Sequence, residues 1–109
     1  MAKRKDTKAY QECVYNYCNL RRCIESRQND VDNYYKEIGK AKRTFDNLGT
    51  MVAEKVKEWY NFYTSMQQTA IGMIESNINY DKKHMTKYET TLVDEYEEDL
   101  DELYNNFEI

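Results

Sequence analysis

Proline is absent from this chain, and glycine occurs only three times. Turns and tight connections depend on those two residues, so an all-β or loop-rich fold is disfavoured. No stretch of 18 apolar residues exists, and no membrane span is expected. The basic segment at residues 1–8 is not followed by an apolar run, which argues against a secretory signal peptide. The chain is expected to be cytoplasmic as made, with any export proceeding without a cleaved signal.

Chemistry-bearing groups are equally sparse. His84 is the single histidine. It has no Cys or His at helical reach and no second placed group for acid–base work. No Ser-His-Asp set is evident, and no glycine-rich phosphate loop occurs. The three cysteines, Cys13, Cys18 and Cys23, are spaced five and five. On a helix each step of five turns by about 140°, so the thiols diverge. Zinc sites use pairs two to four apart. The expectation is therefore no catalytic residue, no metal, no cofactor and no small-molecule substrate. Nucleic-acid binding is not expected either, because the net charge is −4 and the bases alternate with acids.

What the sequence does hold is helical periodicity. Tyr10, Tyr17, Ile24, Val31, Ile38 and Phe45 recur every seven residues. Cys13, Leu20, Arg27, Tyr34, Ala41 and Leu48 form the matching second row, with Arg27 alone out of pattern. A repeat held over this length predicts one long helix, about residues 8–48, with a coiled-coil-like seam. Asn47-Leu48-Gly49-Thr50 reads as a stop and a start. Gly49 can take the left-handed conformation that ends a helix, and Thr50 can cap the next one.

A second apolar stripe begins with Val52, Val56, Trp59, Tyr63, Met66, Ala70, Ile74 and Ile78. Met85, Tyr88, Leu92, Tyr96, Leu100, Leu103 and Phe107 continue it in phase. One helix over about residues 50–106 is predicted, although the weak helix formers at 76–81 leave a kink open there. A short connection places the two helices antiparallel. The fold class is thus all-α, a single-domain antiparallel hairpin whose second helix is longer and protrudes. Packing against the first helix is the default expectation for the aromatic cluster around Trp59. Because Trp59, Tyr60, Phe62 and Tyr63 cover more than one face, Trp59 and Phe62 are also candidate interface anchors.

Charge divides the chain. Residues 1–88 carry all 16 bases and 11 acids, a balance of +5, whereas residues 89–109 carry nine acids and no base. An unpaired stripe through Leu92, Tyr96, Leu100, Leu103 and Phe107 is predicted to be a partner-binding surface, with the acids steering the approach. An internal alternative pairs part of this charge with Lys3, Arg4, Lys5 and Lys8.

The plan of two helices around a short turn, one tryptophan and about a hundred residues resembles the small helical-hairpin proteins of type VII secretion. These include the WXG100 proteins and the Lap-type partners of LXG toxins. Tyr104-Asn105-Asn106-Phe107-Glu108 matches the Tyr-x-x-x-Asp/Glu spacing of their export signal. The Trp-x-Gly turn is replaced by Trp59-Tyr60-Asn61, so the likeness is to a divergent Lap-type partner. The resemblance implies a non-enzymatic targeting factor that binds the helical domain of a secreted substrate, with Tyr104 and Glu108 in the signal. A helical heterocomplex is expected, and the alternative, motivated by the seven-residue seam, is a homo-oligomeric coiled-coil structural or adaptor protein, such as a homodimer.

Overall fold

The computed structural model describes residues 2–49 and 53–107. It is all-α, with two long helices packed as a hairpin: α1 (Lys8–Asn47), α2 (Glu54–Asp94), and then a short α3 (Leu100–Asn105). The Thr7 hydroxyl accepts from the Tyr10 amide at 3.2 Å and caps α1. Gly49, at φ +80°, lies just past its end. Only glycine enters that region without a steric penalty. The predicted cap at Thr50 lies outside the described residues.

The seam of α1 faces inward as the repeat implies. Tyr17, Ile24 and Val31 are buried, and Tyr10, Ile38 and Phe45 are half-buried. Along α2 the buried and half-buried positions also repeat by sevens: Tyr60, Gln67, Ile74, Asp81 and Tyr88 in one row, Thr64, Ile71, Ile78, Met85 and Leu92 in the other. This seam holds Gln67, Asp81 and Thr64 beside Ile74, Ile78, Met85, Tyr88 and Leu92 of the predicted stripe, so hydrophobicity marks the inward side but not every inward position. Trp59 and Met66, expected on the inward stripe, are each more than half exposed. No break occurs at residues 76–81, where α2 is continuous.

The larger departure is at the end of α2. The stripe predicts helix to about residue 106, but α2 stops at Asp94 and equals α1 in length to within one residue. Glu97 takes φ +54°. Its amide donates to the Val93 carbonyl at 3.1 Å, and the Glu98 amide donates to Leu92 at 3.0 Å. This is a left-handed cap, usually reserved for glycine. Asp99 then caps α3, accepting from the amides of Asp101 and Glu102.

The chain forms two compact units. The first joins residues 1–26 to residues 78–109; the second is residues 27–77. In the first unit Cys13, Tyr17, Cys18, Leu92 and Tyr96 make a buried cluster, with Leu100, Leu103, Tyr104 and Phe107 packed against it. Among the described residues, the helices of the second unit are parts of α1 and α2 alone. Phe45 stacks on Tyr60 at 4.4 Å there, and Val31 and Ile71 are its buried aliphatics.

Candidate helix-docking face

The predicted tail interface does not stand free. Leu92 is fully buried, Tyr96 is buried, and Leu100, Leu103 and Phe107 are half-buried against the first unit's own core. The physical reason is a second stripe on α1, outside its seam: Val14, Cys18, Arg21 and Glu25. Spaced by three and four, these share one helix face, and α3 covers it. The guanidinium of Arg21 donates to Asp101 Oδ1 at 2.9 Å and to the Tyr17 hydroxyl at 2.8 Å, and it lies 4.3 Å from the Tyr104 ring centroid. Tyr104 donates its hydroxyl proton to Glu25 Oε2 at 2.8 Å. Phe107 meets Tyr15 edge-on, with centroids 6.4 Å apart.

The internal alternative for the tail's charge is realised at its first acids. Lys3 pairs with Glu95, Lys5 lies 2.6 Å from Glu98, and Tyr10 donates to the same Glu98 oxygen at 2.8 Å. Burial opposes the Glu98 carboxylate, but the hydrogen bonds from Lys5 and Tyr10 outweigh it and hold its pKa below the ordinary value. Burial, then the bond to Glu98, pushes the Tyr10 hydroxyl up to about 12. Burial likewise raises the Cys13 and Cys18 thiols, while Cys23 is exposed.

The predicted signal residue Tyr104 is thus engaged inside the first unit, and Glu108 lies outside the described residues. His84 sits on the surface with its ring 4.5 Å from that of Tyr80. Among the described residues no group of three or more His, Cys, Asp or Glu converges as a metal site. No described helix is long and apolar enough to cross a membrane.

Open apolar surface lies instead in the second unit. Trp59, Phe62, Met66 and Met73 of α2 are each more than half exposed. Their spacing of three, four and seven puts them on one side of the helix. Phe62, Met66 and Met73, with the small residues Ser65, Thr69 and Ala70, line a shallow groove. Trp59 is held by a stacked contact with Tyr63, centroids 5.5 Å apart. Of the residues expected to bind a partner, the structure leaves only Trp59 and Phe62 on an open face. Met66 and Met73 join them. The signal that could have found this pair is their position outside the seven-residue seam.

A second depression borders this face, formed by Asp30, Asn33, Tyr34 and Glu37 of α1 with Gln67 and Ile74 of α2. Gln67 Oε1 is buried there without a hydrogen-bond partner. A buried acceptor left unpaired is unfavourable by about 1–3 kcal/mol. The face therefore offers apolar contact along α2 and an acceptor-rich, acidic flank beside it. Comparison with protein-family models, with curated proteins and with solved structures finds no match for this chain.

Proposed function

We propose that this chain is a non-enzymatic helical partner protein that docks an amphipathic helix of a second protein on the open face of α2. The observation that carries the reading is the set of four large apolar side chains, Trp59, Phe62, Met66 and Met73, standing more than half exposed on one helix face. Water-exposed apolar groups in a contiguous stripe are unfavourable unless they meet a partner. Methionine and aromatic side chains suit such a surface because they adapt to, or anchor, the incoming helix.

The flank supports a basic character for the partner. The carboxylates of Asp30 and Glu37 line the flank, Glu37 already paired with Lys40 at 3.2 Å, so an incoming helix with Lys or Arg beside its apolar stripe is favoured. The resemblance to Lap-type proteins makes the helical N-terminal domain of an exported toxin the proposed partner, and makes the chain a targeting factor. On that reading Tyr104 serves in the export signal only after leaving Arg21 and Glu25.

The test is co-expression with the helical N-terminal domain of an LXG-type toxin, the proposed partner, followed by a mass measurement. The expected result is a 1:1 complex that Met66→Asp and Trp59→Asp each abolish while leaving the chain folded. A complex formed equally well by Met66→Asp, or none with the wild type, overturns the proposal.

A further inference from the structure

The first unit holds a different kind of surface, one already filled by the chain's own end, and its filler is attached in an unusual way. The connection between α2 and α3 contains neither proline nor glycine. Its turn depends on Glu97 in the left-handed region, at φ +54°. A non-glycine residue held there is strained unless the surroundings compensate. Meanwhile Leu92, Tyr96, Leu100, Leu103 and Phe107 keep an unbroken helical spacing across the same connection. The spacing therefore fits a second conformation that needs no left-handed residue, α2 running straight through residues 95–99 into α3, opposed by the like charges of its acids. In that conformation α3 cannot reach its own copy's α1, and the face of Val14, Cys18, Arg21 and Glu25 is uncovered.

We propose that α3 exchanges between two copies of this chain, with each copy's residues 100–107 docking on the Cys18–Arg21 face of the other. The occupant is set by contacts already described. The face fits Leu100, Leu103 and Phe107 by shape, Asp101 by charge with Arg21, and the Tyr104 hydroxyl by its bond to Glu25. A second copy supplies the same groups, so the closed and exchanged forms share one docked interface. They differ only in the connection and in the loss of freedom on association. Strain at a short connection is the condition that favours such exchange. The exposed ion pair of Lys3 with Glu95 and the bond of Lys5 to Glu98 oppose opening. The exchanged dimer is accordingly the form favoured at high concentration.

Two variants test this, both in a Met66→Asp background so that the open face of α2 cannot supply the dimer contact. One chain carries Arg21→Glu and the other Asp101→Arg. Each alone sets like charges against each other, in closed and exchanged forms alike. Refolded together, an exchanged pair restores opposite charges at both docked sites. The expected result is a mixed dimer exceeding either homodimer by roughly tenfold or more, about the ratio that relief of two like-charge contacts gives. Absence of a mixed dimer overturns the proposal. Should those charge variants fail to fold, Glu97→Gly decides. It removes the strain of the closed turn and is expected to weaken dimerisation of the otherwise unaltered connection by roughly tenfold. A dissociation constant unchanged by Glu97→Gly, or a chain monomeric at every concentration, equally overturns it.

Discussion

The two units are built from the same pair of helices and differ in what covers them. The first unit has a third element. α3 buries Cys18 completely although Cys18 lies outside the α1 seam, and Arg21, Tyr10 and Lys5 tie the tail's acids down. Among the described residues the second unit has no such cover. Its seam includes Gln67 and Thr64, and its large apolar side chains Trp59, Phe62, Met66 and Met73 point outward. Most of the buried side chains thus lie in the first unit, and most of the exposed large apolar ones in the second. A two-helix contact alone buries little apolar surface, and on the proposed reading the uncovered unit is the one that a partner helix covers.

The largest expected effect tests that contrast directly. Leu92 is fully buried among Cys13, Tyr17, Cys18 and Tyr96. Leu92→Ala is expected to lower stability by about 2–5 kcal/mol through lost burial and the cavity left behind. Met66→Ala, on the open face, is expected to change it by less than about 0.5 kcal/mol. Urea unfolding of both variants checks the difference. Equal effects would erase the distinction between the units.

Arg21→Ala comes next. Its guanidinium joins Tyr17, Asp101 and the Tyr104 ring, and the side chain is only 24% exposed. A loss of about 1–2 kcal/mol is expected, given several partly shielded hydrogen bonds. The sharper readout is Cys18. In the wild type Cys23 should react fast with a thiol reagent, and Cys13 and Cys18 slowly, since both are buried with raised thiol pKa values. The thiolate is the reactive form, so both burial and pKa slow them. Arg21→Ala should bring Cys18 into the fast class without altering Cys13.

The tail's attachment also depends on pH, in opposite directions at Glu98 and at Tyr10. Glu98 has a folded pKa below its ordinary 4.5. Its contribution is present above that ordinary value and is lost as pH falls through the lower folded one. Tyr10 is raised from 10.0 to about 12. Its contribution is full below pH 10 and disappears as pH rises through about 12. Tail attachment should therefore be flat at neutral pH and weaken at both extremes, as followed by the NMR signals of Leu100 and Leu103. Tyr10→Phe should shrink the alkaline limb, to which the raised Tyr104, Cys13 and Cys18 also contribute, and should reduce the acid one as well, leaving the share that Lys5 supplies to Glu98.

Much of this architecture is legible in the sequence, and the failures have specific causes. The seven-residue repeat of Tyr17, Ile24 and Val31 marks the buried side of α1 because nothing competes with it. On α2 the apolar residues outnumber the inward positions. Trp59 and Met66 therefore join the predicted stripe, while Gln67 and Thr64 take seam positions that hydrophobicity does not reveal. The end of α2 is hidden for another reason. The signal for a left-handed cap is glycine or asparagine, and here Glu97 takes the position. What turns the chain is the tertiary contact of α3 with Val14, Cys18 and Arg21, a stripe masked in the sequence by the stronger seam beside it.

Those two chain reversals supply the smallest and most pointed comparison. Gly49 in the second unit and Glu97 in the first are both left-handed, at φ +80° and +54°. A Cβ built on Gly49 meets nothing within 4 Å. Gly49→Ala therefore adds backbone strain without a clash, and a loss of about 1 kcal/mol is expected. At Glu97 the strain is already present, so Glu97→Gly relieves it while adding freedom to the unfolded chain. The net gain should be no more than about 1 kcal/mol. Opposite signs in a paired thermal-unfolding measurement would place the stored strain in the α2–α3 connection, where the exchange of α3 requires it. Two destabilised variants would mean that Glu97 sits comfortably, because the bonds to Val93 and Leu92 compensate fully for its conformation.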